Sequence, residues 1–198
     1  MKCEVCVDWL TFSVKKEDPN EVIRDYLGYS LLGYNKVLRF SDICVCHEPR
    51  ENQHFKNMGV CVSMSGNGCR AFETMSKLGG KDKQGKESVV FPALFQLLTA
   101  DENANVSRID IACDDREGYL DMDEIIARTR ANAVNSRMRW KDIHESIDGV
   151  SKAGATVYIG APSSDFRVRI YDKALEQGAD GHWVRVELVM RSANANAF

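Results

Sequence analysis

The sequence predicts an α+β fold: an antiparallel sheet with helices packed on one face and an active-site face on the other. Two observations carry this. Segments of alternating apolar and polar residues outnumber helical segments, and several follow one another with only a turn between them. At 198 residues, 44% of them hydrophobic, the chain suits one domain with a sizeable core, and residues 1–198 are read as that unit.

In chain order, "CEVCVDWLTFSV" (3–14) opens with a β-branched, alternating strand, and "PNEVIRDYLGYSLL" (19–32) reads as a helix. Strands follow at "DICVCHE" (42–48) and "MGVCVSMSG" (58–66), and the two glycines of "SGNGCR" (65–70) read as a hairpin turn. The Gly- and Lys-rich "KLGGKDKQGKES" (77–88) is a surface loop, and "VVFPALFQLLTA" (89–100) is a helix with proline near its start. After the strand "NVSRIDIACDD" (105–115), the segment "YLDMDEIIARTRANAV" (119–134) places acids early and arginines late, as a helix dipole favours. The last strands are "RMRWKDIHES" (137–146), "ATVYIG" (155–160), "FRVRIYDK" (166–173) and "HWVRVELVMR" (182–191).

Composition narrows the function classes. No apolar run approaches a membrane span, and the start lacks the apolar core and cleavage site of a signal peptide, which predicts a cytoplasmic protein without membrane contact. Seven cysteines suggest metal knuckles at Cys3 and Cys6 or at Cys44, Cys46 and His47. Neither has zinc-site spacing, and the better reading is small buried hydrophobes. The net charge of −3 conceals segregation: residues 128–141 carry five cations and no acid, and residues 101–124 carry nine acids against two arginines. Such a distribution can set a cationic surface beside an anionic pocket.

Three strands share one pattern. Because side chains alternate, Arg108, Asp110, Ala112 and Asp114 share a face, as do Arg167, Arg169 and Tyr171, and as do Trp183, Arg185, Glu187 and Val189. Each strand has an apolar opposite face. Aspartate is disfavoured inside strands, yet Asp110 sits within "IDIAC". If these strands are neighbours, Asp110, Asp114 and Glu187 converge, and like charges at that range need a cation or arginines. A carboxylate site for Mg²⁺ or Mn²⁺, an arginine–carboxylate network and an ordinary wet face all fit. A phenol is a poor nucleophile near neutrality, but beside a cation and arginines Tyr171 can attack a phosphodiester in line, with Arg169 and Arg185 taking up charge and Lys173 near the leaving oxygen. Arg108, Arg167, Arg185, Arg137, Arg139 and Trp140 are the candidate DNA contacts, the basic stretch gripping backbone and the indole stacking a base.

"VSRIDIACDD", "TVYIGAPSSDFRVRIYDKALEQG" and "WVRVELVMR", in this order and spacing, resemble the replication initiation factor (Rep_trans) family of rolling-circle plasmids, phages and integrative elements. "VDWLTFSV" and "VCVSMSGNGCRAFE" resemble family segments too. The resemblance implies a DNA strand transferase with Tyr171 as nucleophile, Asp110 and Glu187 as metal ligands and Asp114 as a further one. The substrate would be an origin, single-stranded or cruciform, with host helicase and polymerase as partners and a homodimer compatible with cutting and terminating. The paired histidines of other rolling-circle nucleases are absent, the four histidines lying scattered at 47, 54, 144 and 182. Family members usually continue past the "RVEL" strand, so the resemblance implies either that a C-terminal segment is missing here or that this is a short member. Two further readings stand beside replication initiation. One is a relaxase of an integrative conjugative element with the same chemistry. The other is a non-catalytic single-strand-binding module, whose usual mid-strand aromatics are replaced here by Asp, Arg and Glu.

Overall fold

The computed structural model describes residues 4–16, 19–22, 25–26, 37–46, 59–76, 90–145 and 154–196. They form the antiparallel α+β architecture that the patterning predicts, divided into two compact units interleaved in sequence. One unit comprises Met1–Cys6 and Asp110–Arg191, the other Val7–Ile109 and Ser192–Phe198. Among the described residues no helix is long and apolar enough to cross a membrane.

In the second of these units β1 (Glu4–Val14) from Val7 onward, β2 (Val37–Phe40), β3 (Ile43–Cys46), β4 (Val60–Met64) and β5 (Ala104–Asp115) as far as Ile109 lie in the order β2-β3-β4-β1-β5. Register puts the apolar residues on one face: Leu10, Phe12 and Val14 oppose Met64, Val62 and Val60, and Ile43 and Val45 oppose Met64 and Val62. These residues are all buried. Helices α2 (Gly66–Met75) and α3 (Val90–Ala100) add Phe72, Phe91 and Leu94, with the Phe72 and Phe91 rings 5.3 Å apart. Each large side chain so buried stabilises by about 1.5–3 kcal/mol. The short helices α1 (Pro19–Val22) and α6 (Ser192–Ala195) belong to the same unit.

"SGNGCR" is not a hairpin turn. It begins α2, whose N-cap is Ser65. A β-carbon at Gly68 would lie 2.5 Å from the Asp42 carbonyl oxygen, so the glycine lets the helix press against the β2–β3 turn. Residues 23–24 and 27–32 of the predicted helix 19–32, and the loop 77–88, fall outside the described residues.

The other unit holds β5 from Asp110 onward, β6 (Lys141–His144), β7 (Thr156–Ile159), β8 (Phe166–Asp172) and β9 (Val184–Arg191), in the order β5-β9-β8-β7-β6. Helix α4 (Met122–Arg130) starts where Asp121 accepts hydrogen bonds from the Asp123 and Glu124 amides, and ends with Arg128 and Arg130 in its last turn. It is shorter than the predicted 119–134. Strand β8 stops at Asp172, whose carboxylate caps α5 (Lys173–Gln177) by accepting from the Leu175 amide. Lys173 is therefore the first residue of a helix and not the end of a strand.

Candidate active site

Antiparallel pairing of β8 with β9 sets Arg169 opposite Glu187 and Tyr171 opposite Arg185, and pairing with β7 sets Tyr171 opposite Thr156 and Arg169 opposite Tyr158. Cross-strand partners share a face, so the alternation read from sequence brings the phenol, two guanidiniums and a carboxylate together. Asp110 and Asp114, both buried, lie on the neighbouring strand β5.

The carboxylate face is dry. Exposure is 1% at Glu187, 2% at Asp110, 5% at Asp114 and Tyr171 and 6% at Arg185, whereas Val168, Ile170, Val186 and Leu188 on the opposite face are only half-buried. An ordinary wet face is thereby excluded. Buried charge demands partners, and two sets supply them. Arg185 grips Asp114 through both ends of its guanidinium, Nε to Oδ1 at 2.6 Å and Nη2 to Oδ2 at 2.7 Å. Arg169 Nη1 lies 2.9 Å from Glu187 Oε2, while the Tyr171 hydroxyl donates to Glu187 Oε1 at 2.5 Å. Asp110 acts electrostatically on Arg169 as well.

These surroundings fix protonation. Burial pushes the Tyr171 phenol well above its ordinary value, and the hydrogen bond to Glu187 and the charge of that carboxylate push it the same way. Burial works against the charge of Asp114, but Arg185, the Trp183 indole and Arg116 outweigh it and hold the carboxyl below its usual range. At neutral pH the site holds a protonated phenol whose proton already points at a carboxylate oxygen.

Among the described residues no three His, Cys, Asp or Glu side chains gather as a ligand group. Asp114 is occupied by Arg185. Asp110 and Glu187 are buried hard oxygen donors of the kind Mg²⁺ or Mn²⁺ takes, and both act on one guanidinium, Arg169. The donor chemistry fits such an ion at these two residues. Cys3 and His47, from the two cysteine-containing motifs, lie outside the described residues.

The other predicted residues are more dispersed. Lys173 pairs with Glu176 one turn away, its ammonium 5.5 Å from the centre of the Tyr171 ring. Arg167 rests over Tyr158, Cζ 3.8 Å from the ring centre, with the Trp140 ring centre at 5.5 Å. Arg137 and Arg139 are exposed. Arg108 belongs to the other unit, where its guanidinium lies 4.2 Å from the centre of the Trp9 ring.

Sequence reasoning overlooked Asp115, Tyr158, His182 and the full setting of Trp183. Asp115 is buried and accepts from the Leu120 and Glu117 amides at 2.7 and 3.0 Å and from His182 Nε2 at 3.2 Å. Burial opposes its charge, but those amides and the imidazole hold its carboxyl below the usual range. The paired aspartates of "CDD" were the available signal: adjacent strand residues face opposite ways, so two buried aspartates in a row need two separate sets of partners.

Comparison with known proteins places the chain among rolling-circle initiators by sequence and fold. The profile of the Replication initiation factor family matches residues 104–198, and that of the rolling circle replication initiation protein N-terminal domain matches residues 4–83. The two matches together support the replication initiation factor family for this chain. Its fold is similar to that of the rolling circle replication initiator protein from Geobacillus stearothermophilus. The TM-score is 0.77 at 26% identity, over 99% of this chain and 77% of that one. A Bacillus subtilis (strain 168) protein named for a DNA relaxase role, NicK, is 26% identical over 210 residues, 96% of this chain. The chain spans 56% of the length of that relative.

Proposed function

We propose that this protein nicks and rejoins DNA at a specific site through a covalent 5′-phosphotyrosine on Tyr171, and so starts rolling-circle replication. The observation that carries this reading is the buried hydrogen bond from Tyr171 to Glu187, with Arg169 and Arg185 flanking it on the same sheet face, in a chain of this family. The phenol oxygen attacks phosphorus as its proton passes to Glu187 Oε1. An O–P bond forms to tyrosine, the bond from phosphorus to the 3′ oxygen breaks, and the departing oxygen gains a proton to become a 3′-hydroxyl for a polymerase. Arg169 and Arg185 offset charge on the non-bridging oxygens, and Lys173 stands at the entry to α5 near the phenol ring. Reversal reseals the strand without ATP.

Asp110 and Glu187 are the residues that would hold Mg²⁺ or Mn²⁺, with Asp114 free to join them only by releasing Arg185. The ion supplies positive charge at the phosphate when bound. A Mn²⁺-dependent rise in melting temperature, lost in Asp110→Ala, supports that assignment; an equal rise in the variant removes it. The DNA partner is an origin presented single-stranded or as a cruciform, and a host helicase, a polymerase and a second copy of the chain complete the proposed assembly. The likeness to the NicK protein favours a second setting for the same chemistry, DNA transfer by an integrative element. Single-stranded oligonucleotides tiled across the protein's own gene and its flanks test both settings. Cleavage at one position by wild type and none by Tyr171→Phe is expected, and equal cleavage by the two proteins contradicts the reading.

A further inference from the structure

The arginine at 167 differs from the other two on its face. Arg169 faces Glu187 and Arg185 faces Asp114, but among the described residues Arg167 forms no ion pair, and its buried Nε has no hydrogen-bond partner. Instead the guanidinium lies over the Tyr158 ring with the Trp140 ring beside it. Trp140 is placed by its own backbone, since the Gly160 amide donates to the Trp140 carbonyl at 2.9 Å. Gly160 has φ +103°, and a β-carbon there would meet the Phe166 carbonyl oxygen at 2.9 Å. That turn accepts only glycine. Both rings and the guanidinium are half-buried; burial disfavours the charge of Arg167 and neighbouring Arg169 and Arg191 add to that, while Tyr158 and Asp142 offset part of it.

We propose that Tyr158, Trp140 and Arg167 form a stacking platform for one unpaired base of a DNA single strand, next to the phosphate that Tyr171 attacks. A guanidinium on an aromatic ring with a second ring alongside is a surface on which a base stacks, and its charge, which has no salt-bridge partner among the described residues, meets the strand's phosphate. Register fixes the distance. Tyr158 is directly opposite Arg169, two residues along β8 from Tyr171; at strand spacing this separates the two phenols by about 8 Å, the reach of the nucleotide carrying the attacked phosphate or of its neighbour. A base in a duplex cannot use the platform, so the site selects an unpaired strand.

This inference rests on the proposed nicking function, and its test separates the two. Binding of the 198-residue protein to a fluorescent single-stranded oligonucleotide is compared with binding to the same backbone carrying abasic residues. Wild type is expected to prefer the base-bearing strand about five-fold or more. Tyr158→Leu and, independently, Arg167→Met are expected to lose that preference, and Tyr158→Phe to keep it, with melting curves confirming that each variant folds. Equal binding of the two strands by wild type, or a preference undiminished in both Tyr158→Leu and Arg167→Met, overturns the platform. Adduct formation on Tyr171 is measured in the same preparations. An adduct without base preference rejects the platform and leaves the chemistry standing. Base preference without an adduct supports the platform and rejects the chemistry.

Discussion

In the proposed mechanism Glu187 decides how the phenol works. A tyrosine held above its ordinary value by burial and by an adjacent carboxylate is not a stored phenolate, so in the proposed nicking step proton removal accompanies attack, and Glu187 stands as acceptor at 2.5 Å. Glu187→Gln keeps the shape and removes the acceptor. We expect nicking to fall about 10²- to 10⁴-fold while the melting temperature stays close to wild type, and an unchanged rate would exclude Glu187 as the base. Alkaline titration of tyrosinate absorbance reports the same environment. The raised folded value means that the stabilising contribution of Tyr171 is complete below the unfolded value, near 10, and is lost as pH rises beyond it. Subtracting Tyr171→Phe from wild type should therefore show no tyrosinate signal at about pH 10; a signal there would place the phenol in a different environment. Asp114→Asn leaves a buried Arg185 half-paired and should cost about 3 kcal/mol in chemical denaturation. Arg185 is also the guanidinium that Tyr171 faces across the strands, so the same change is expected to slow nicking.

Much of the element pattern is legible in the sequence. Strands β5, β8 and β9 were readable because β-branched residues alternate with charge, and period 2 dictates which residues meet. What alternation could not reveal is which face is covered. Aspartate, arginine and glutamate looked like the wetter side, yet that side is the drier one, because Glu187 has Arg169 and Asp114 has Arg185 on the next strand and pairing makes burial tolerable. Helix α2 was hidden by its own glycines. Gly66 and Gly68 resemble turn residues, and only the approach of the Asp42 carbonyl shows that Gly68 is a packing glycine. Gly68→Ala should accordingly destabilise by about 1–3 kcal/mol, read as a shift in denaturation midpoint. A neutral or stabilising result would mean that the β2–β3 turn moves aside. Helix α5 was missed because Asp172 serves as both last strand residue and N-cap, and no periodicity announces a cap. The arginine clamp on Asp114 was legible only as one of three alternatives, since sequence gives faces and not distances.

For the molecule as a whole, the net charge of −3 no longer argues against a nucleic-acid partner. Asp110, Asp114, Asp115 and Glu187 are buried, and Asp114 and Glu187 face Arg185 and Arg169, so the charge of those two is largely cancelled from within. Asp114 and Asp115 are both held below their usual range. Their contribution to stability is present above the unfolded value near 3.9 and disappears as pH falls through the folded values. Thermal unfolding followed from about pH 6 to pH 3 should show the melting temperature dropping on the acid side, with a shallower drop in Asp115→Asn; parallel curves would remove Asp115 from that account. Mass spectrometry for a covalent adduct addresses the function itself. The protein is incubated with Mn²⁺ and single-stranded DNA tiled across its own gene and flanks, denatured and digested. Nucleotide attached to the peptide containing Tyr171, absent from Tyr171→Phe, is the predicted result. Strand cleavage with no nucleotide on that peptide, or with nucleotide on another residue, would contradict it.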